Sequence, residues 1–227
     1  MTHSLYSEML LNHQEHFSFH FGNVFTKGVL MNRLLEKLNC FRKVTEFSCV
    51  YSFENNDKIC FKFKLTDFPH IIGLHKLIDI PIIRQFNDKE NRKISAKFIL
   101  SRIKKEDILT EATIMKSKYF PEIQKRYEAF TINNLMSIIY ADKAIVFNPL
   151  TMGSYLHAKY ILFEKKEMGY HHLCIAKDSN GVSYVESFFC EPTDIYLRKQ
   201  ELILINKVEI YDKDNKIYLL DQFNKKD

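Results

Sequence analysis

The chain has 227 residues, 46% of them apolar and 27% charged, enough to fill one generous domain and too apolar for intrinsic disorder. Phe (19) and Tyr (12) supply core material in the absence of Trp, while Gly (6) and Pro (5) are too scarce for a linker-rich or collagen-like chain. Lys and Arg (33) exceed Asp and Glu (28), and the formal charge of +5 suits a polyanionic partner without demanding one.

Residues 1–25 are rich in His and Phe and show no clean period. His13, His16 and His20 stand at i, i+3 and i+7, a spacing that would share one helical face and could ligate a metal. No acidic or cysteine partner has matching spacing, so a surface or partly packed role is expected and no metal is assigned. Residues 28–39 carry Val29, Leu30, Leu34, Leu35 and Leu38 at helical spacing. VTEFSCVYSF and KICFKFKL, separated by ENND, read as a β-hairpin. DFPHIIGLHKLIDI, residues 67–80, reads as a helix, with Asp67 as cap, Pro69 in the first turn and Pro81 as its end. Further helices are expected near 94–106, 106–117 and 121–140, the last opened by Pro121 with Ile123, Tyr127, Phe130 and Leu135 on one face.

Beyond residue 142 the pattern turns to strands: AIVFN, SYLHAKYILFE, YHHLCIAK, VSYVESFF and ELILINKVEI, with EKKEMG and KDSNG as turns and KIYLL as a last edge strand. Segregated helices and strands define an α+β class. The expectation is helices followed by an antiparallel sheet of about four to five strands, with an N-terminal helix and hairpin as an extension.

P-loop, GxGxxG, GxSxG, HExxH and EF-hand patterns are absent, which leaves the common nucleotide and metallohydrolase readings without support. Five cysteines, odd in number and without a CxxC pair, fit reduced thiols in a cytoplasm. No apolar run approaches the roughly 20 residues of a membrane span, and the start lacks the basic and apolar segments of a secretory signal. A cytoplasmic protein that does not engage membranes is therefore expected.

The most informative stretch is FKLTDFPHIIGLHK. On a continuous helix His70 and Gly73 share a face, and the small Gly would leave room for a substrate beside His70. His70 and His75, five apart, need not face the same way. A plain core helix with a near-cap His and a snorkelling Lys76 fits the same residues. Farther on, His157 and Lys159 would share one face of a strand, Tyr155 would face away, and His171 and His172 would point to opposite faces. His157 and Lys159 are thus rivals for a site, although a solvated sheet face reads alike. Residues 84–126 hold 12 Lys and Arg against 6 Asp and Glu. Lys93, Lys97 and Lys104 would form a ridge able to track phosphates, with Lys159 as a further contact, and Tyr119 and Phe120 beside Lys116 and Lys118 could stack on unpaired bases. An ordinary solvated helix face gives the same pattern, and Phe120 also suits a core.

FPHIIGLHK, followed much later by ESFFCEPTDIYLRKQ, resembles a family of nucleases from phages and mobile elements in the barnase–EndoU–colicin–RelE-like class of metal-independent RNases. The resemblance covers roughly residues 61–210, leaving 1–60 as the extension and 211–227 as a short strand and tail. It implies helices followed by a four-stranded antiparallel sheet, and RNA transesterification without cofactor. In that reaction a ribose 2′-OH attacks the adjacent phosphate, the 5′-oxygen leaves and a 2′,3′-cyclic phosphate forms. Carried onto this chain, the resemblance offers His70 as leading acid/base, Lys76 as phosphate cation and His75 as a weaker second proton carrier. Ser187 or Tyr196 would hydrogen-bond a phosphate oxygen or base, and Asp194 would orient a histidine or cap a turn. A polar strand end is the plain alternative for these three. The implied biology is a toxin or anti-phage effector acting on RNA, tRNA among the candidates, and held by an inhibitor or antitoxin. A non-catalytic RNA-binding module and a protein-interaction module are the rival readings.

Overall fold

The computed structural model describes residues 32–88, 94–151, 156–167, 169–212 and 217–221. Helix α1, Arg33–Val44, buries Leu34, Leu38, Phe41 and Val44, the three-and-four spacing of an amphipathic face. The hairpin follows as β1, Ser48–Phe53, and β2, Lys58–Lys62, with alternate residues buried. A short helix α2, Phe68–Ile71, and a 3-10 turn, Leu74–Lys76, replace the single helix expected over 67–80. Asp67 does not cap α2; its carboxylate accepts from the Lys64 amide at 2.9 Å. Pro81, read as a terminator, also begins helix α3, Pro81–Asn87.

Helix α4, Ala96–Lys105, is capped by the Ser95 hydroxyl, which accepts from the Phe98 amide. Helix α5, Glu111–Met115, is capped in the same way by Thr110. The segment 121–140 is two helices, α6, Phe120–Ala129, and α7, Ile132–Ile139. Thr131 stands at the break in extended conformation and caps α7 by accepting from the Asn134 amide at 3.2 Å.

Strands β3, Lys143–Val146, β4, Tyr160–Lys166, β5, Gly169–Lys177, β6, Ser183–Glu191, and β7, Glu201–Tyr211, come next, with β8, Ile217–Asp221, last. All pairings are antiparallel, and the order is β2-β1-β7-β3-β4-β5-β6 with β8 also on β7. The α+β class holds. The strand number does not: the sheet has seven strands along its path plus β8, where four to five were expected.

The hairpin makes the difference. Glu201–Leu204 of β7 pair with β3, and Ile205–Tyr211 pair with β1, so one long strand joins the hairpin to the rest. Cys49, Tyr51, Phe53, Ile59 and Phe61 all point into the core, a face too apolar to stand alone in water. The end strands β2 and β6 come into contact, so the sheet curls toward closure around this interior.

The helices plug that interior with aromatic rings. Phe41 lies 5.7, 5.6 and 5.9 Å from the ring centres of Phe63, Phe68 and Phe130, and Phe130 lies 5.5 Å from Phe188 of β6. The Tyr51 ring stacks on Phe61, and its hydroxyl donates to the Ile139 carbonyl at 2.6 Å, tying the sheet to α7. On the outer face a smaller cluster of Ile145, Phe147, Ala158, Ile161 and Cys174 is covered by Phe189, Tyr196 and Leu197. Among the described residues no helix is long and apolar enough to cross a membrane.

Phe41 joins α1, α2, the residue after β2 and the α6–α7 junction. Phe41→Ala is expected to lower unfolding free energy in urea by about 3–5 kcal/mol. A loss below about 1 kcal/mol would mean that these rings do not act as one core.

Candidate active site

The site begins at a backbone reversal. Gly73 adopts φ +86°, a left-handed conformation that disfavours any side chain. It stops α2 after one turn and starts the Leu74–Lys76 turn, while Ile71, Ile72, Leu74 and Leu77 are buried beneath. The reversal brings His70 and His75 together with ring centres 4.8 Å apart; on the expected continuous helix they would diverge. His70 also packs on Phe86 of α3 at 5.3 Å.

Gly73 leaves no opening for substrate, contrary to expectation. A Cβ at that position would meet Ile123 Cγ2 at 2.9 Å and Arg126 Cδ at 3.3 Å. The space is taken by α6, which lies against the glycine.

Burial sets the charge of this cluster. His75 Nδ1 is enclosed without a hydrogen-bond partner. Its pKa is drawn down to about 4, first by burial, then by the positive fields of His70, Arg126 and Lys76, with a hydrogen bond to the Pro69 backbone opposing. It is therefore neutral near pH 7. Lys76 sits at the exposed rim; burial of part of its side chain and the Arg126 charge lower its pKa, and Glu122 counteracts them.

Arg126 links the two sequence motifs. Its stem runs along Gly73, and its charge is felt by His75 and Lys76 on one side and by Cys174, Cys190 and Tyr196 on the other. Burial lowers the guanidinium pKa, and those thiols and the phenol weakly oppose it. Arg126 was absent from the expected site, counted only within the basic stretch 84–126. The available signal was its place on α6, between buried Ile123 and Phe130 and beside buried Tyr127.

Tyr196 packs on Phe189 at 4.6 Å and His172 at 5.6 Å on the outer face, within the field of Arg126. Ser187 pairs with Cys174 across β5 and β6, beside a bulge at Glu186, and is half-buried. Asp194 closes an exposed turn: Arg198 Nε donates to its carboxylate at 2.6 Å, and its carbonyl accepts from the Leu197 and Arg198 amides.

Strand β4 begins only at Tyr160, so His157 lies in the segment before it, yet His157 and Lys159 are both exposed beside buried Ala158 and Tyr160, the alternation expected. Lys159 pairs with Asp57 at 3.8 Å and lies over the Tyr160 ring. His171 and His172 do face opposite ways, His171 toward Phe188 of the interior and His172 stacked on Phe189 outside. Lys97, Lys104, Lys116 and Lys118 are exposed. Lys118 is fixed where its amide and the Ser117 hydroxyl donate to the Asp79 carboxylate, and its ammonium covers Tyr119 at 4.9 Å. Phe120 is core and cannot stack on a base. Lys93, Tyr155, His13, His16 and His20 lie outside the described residues.

Two imidazoles in ring contact thus lie beside two cations, on short helical segments packed against an antiparallel sheet. Residues 33–227 match the family described as phage-Barnase-EndoU-ColicinE5/D-RelE like nuclease4 (PBECR4), and the chain belongs to this nuclease family. The match confirms the resemblance drawn from FPHIIGLHK and ESFFCEPTDIYLRKQ, and it takes in the hairpin as well. No curated protein and no solved structure matches the chain.

Two measurements probe this environment. Gly73→Ala is expected to cost about 1–2 kcal/mol in left-handed strain alone, and more from displacing Ile123; an unfolding curve unchanged from wild type would contradict the packing described. His172 is fully buried, and neither ring nitrogen makes a well-formed hydrogen bond. Burial lowers its pKa from 6.5 to about 4, the flanking Tyr170 and Phe189 backbone offsetting little. A base whose folded pKa is depressed binds fewer protons folded than unfolded, so its contribution is complete above pH 6.5 and is lost as pH falls toward 4. The loss from this one group is on the order of 3 kcal/mol. Urea unfolding at pH 7 and 4.5 should show a smaller decline for His172→Phe than for wild type, and equal declines would refute the assignment.

Proposed function

We propose that the protein is a metal-independent endoribonuclease that cleaves RNA by 2′-OH transesterification. The observation that carries this reading is the ring contact of His70 and His75 at 4.8 Å with Lys76 on the next residue. His70 is the leading proton carrier: it takes the proton from the 2′-OH as that oxygen attacks phosphorus. His75 stays neutral through burial, so it neither repels a protonated His70 as a cation would nor competes with it for the phosphate. The protonated His70 then gives that proton to the departing 5′-oxygen, leaving a 2′,3′-cyclic phosphate. Lys76 at the rim offsets the charge that builds on the phosphorane. Ser187 and Tyr196 serve as hydrogen-bond partners for the phosphate or base, whereas Asp194 acts through its turn. A toxin or defence-effector role, with an inhibitor protein to restrain it, follows the family's description as a phage nuclease.

The exposed Lys97, Lys104, Lys116 and Lys118 favour RNA as partner, and equally a module that binds without cutting. Labelled tRNA and mRNA incubated with the protein in excess EDTA separate the two readings. Fragments ending in 2′,3′-cyclic phosphate are expected, and they should vanish with His70→Ala and His70→Gln while circular dichroism stays unchanged. Salt-sensitive binding with every RNA intact would establish the binding module instead. A fully active His70 variant would overturn the role given to that residue.

A further inference from the structure

We infer that Arg126 and Lys76 form an oxyanion-binding site that takes the scissile phosphate of the RNA, with Arg126 as its principal ligand. The inference rests on the nuclease reading for the identity of the anion, and on the side chains alone for the site.

Arg126 differs from Arg33, Arg84, Arg102 and Arg198, which have partners within the protein, and from Arg42, which is exposed. Arg33 pairs with Glu111, Arg102 with Asp107 and Arg198 with Asp194, while Arg84 donates to the Ile78 carbonyl. Arg126 is half-buried, yet among the described residues it has no carboxylate within ion-pairing distance and no hydrogen-bond acceptor. Its neighbours are neutral: burial pushes the Cys190 thiol up to about 12 and the Cys174 thiol and Tyr196 phenol upward as well. Glu122, one turn back on α6, acts on Lys76.

A half-buried guanidinium that no protein carboxylate or acceptor holds is kept charged against a desolvation cost. That cost is recovered when a ligand supplies paired oxygens, and a phosphate matches the planar fork better than any monodentate anion. Gly73 is what permits the geometry. Only a residue without Cβ lets the Arg126 stem lie along the reversal, so that its head sits beside His75 and Lys76 and not out in solvent. An anion bound between Arg126 and Lys76 therefore lies next to the two imidazoles.

Calorimetric titration of the full chain with inorganic phosphate and with uridine 3′-monophosphate tests the site without any cleavage. Both ligands should bind, and the nucleotide should raise the melting temperature. Arg126→Gln should weaken both by about ten- to a hundredfold, Arg126→Lys by less, and Lys76→Gln by less again. Without ligand, Arg126→Met, which keeps most of the stem, should melt no lower than wild type. Unchanged phosphate affinity in Arg126→Gln would overturn the site, as would a strongly lowered melting temperature for both Arg126→Met and Arg126→Lys, which would make the side chain structural. The RNA assay in EDTA fails separately: intact RNA together with arginine-dependent phosphate binding removes the ribonuclease reading and keeps the site. Cleavage that persists in Arg126→Gln with phosphate affinity unaltered keeps the ribonuclease and removes the site.

Discussion

The need to hide the inner face of one curled sheet governs this molecule. Tyr51, Phe53, Ile59 and Phe61 from the hairpin, Leu173, Ile175 and Phe188 from the far strands, and Ile203 and Ile205 from β7 all face the same interior. No single helix in the chain could cover so broad an apolar surface. Several short helices do so together, and their lengths are set by where each must turn back across the sheet. The reversal at Gly73 is one such turn. Its chemistry is a by-product of coverage: the chain doubles back to keep Ile71, Ile72, Leu74 and Leu77 inside, and doing so lifts His70 and His75 onto the same rim.

The rim carries opposing electrical demands. Burial holds His75 uncharged, while Arg126 keeps a charge that burial penalises. Neither is relieved by a protein carboxylate among the described residues. A fold selected for stability alone would place a Glu or a methyl group there. Such tension, with two cations and two imidazoles gathered on one rim, is the kind of arrangement found on surfaces shaped for a ligand.

Much of the architecture was legible in the residues. The order of helices before strands, the hairpin around ENND, Pro121 near the start of a helix and the opposite facing of His171 and His172 are local properties, and local rules capture them. The sheet's true extent is different. The pairing of β1 with β7 joins residues about 150 positions apart, and no periodicity records which strands will meet. The helix over 67–80 failed because apolar spacing across Gly73 fits two short turns as well as one long helix. Only the tertiary contact with Ile123 and Arg126 decides between them. The break at Thr131 was hidden for a related reason: the apolar face runs on through Phe130 and Leu135 although the backbone does not. Arg126 was concealed in a run of cations whose sign was plain but whose depth was not. His157 falls outside β4 because alternation in SYLHAKYILFE starts before the ladder with β5 does.

The double pairing of β7 also has a bearing on how the molecule is made. The hairpin is synthesised well before the partner for the open edge of β1, Ile205–Tyr211, which lies about 150 residues further along. Strand β3 waits for the same segment, through Glu201–Leu204. A ribosome must therefore release the chain through Tyr211 before the sheet can draw together, and the closure is a long-range event that folds slowly by its topology. The nascent chain has no assembled sheet against which its helices can pack while it is still being made.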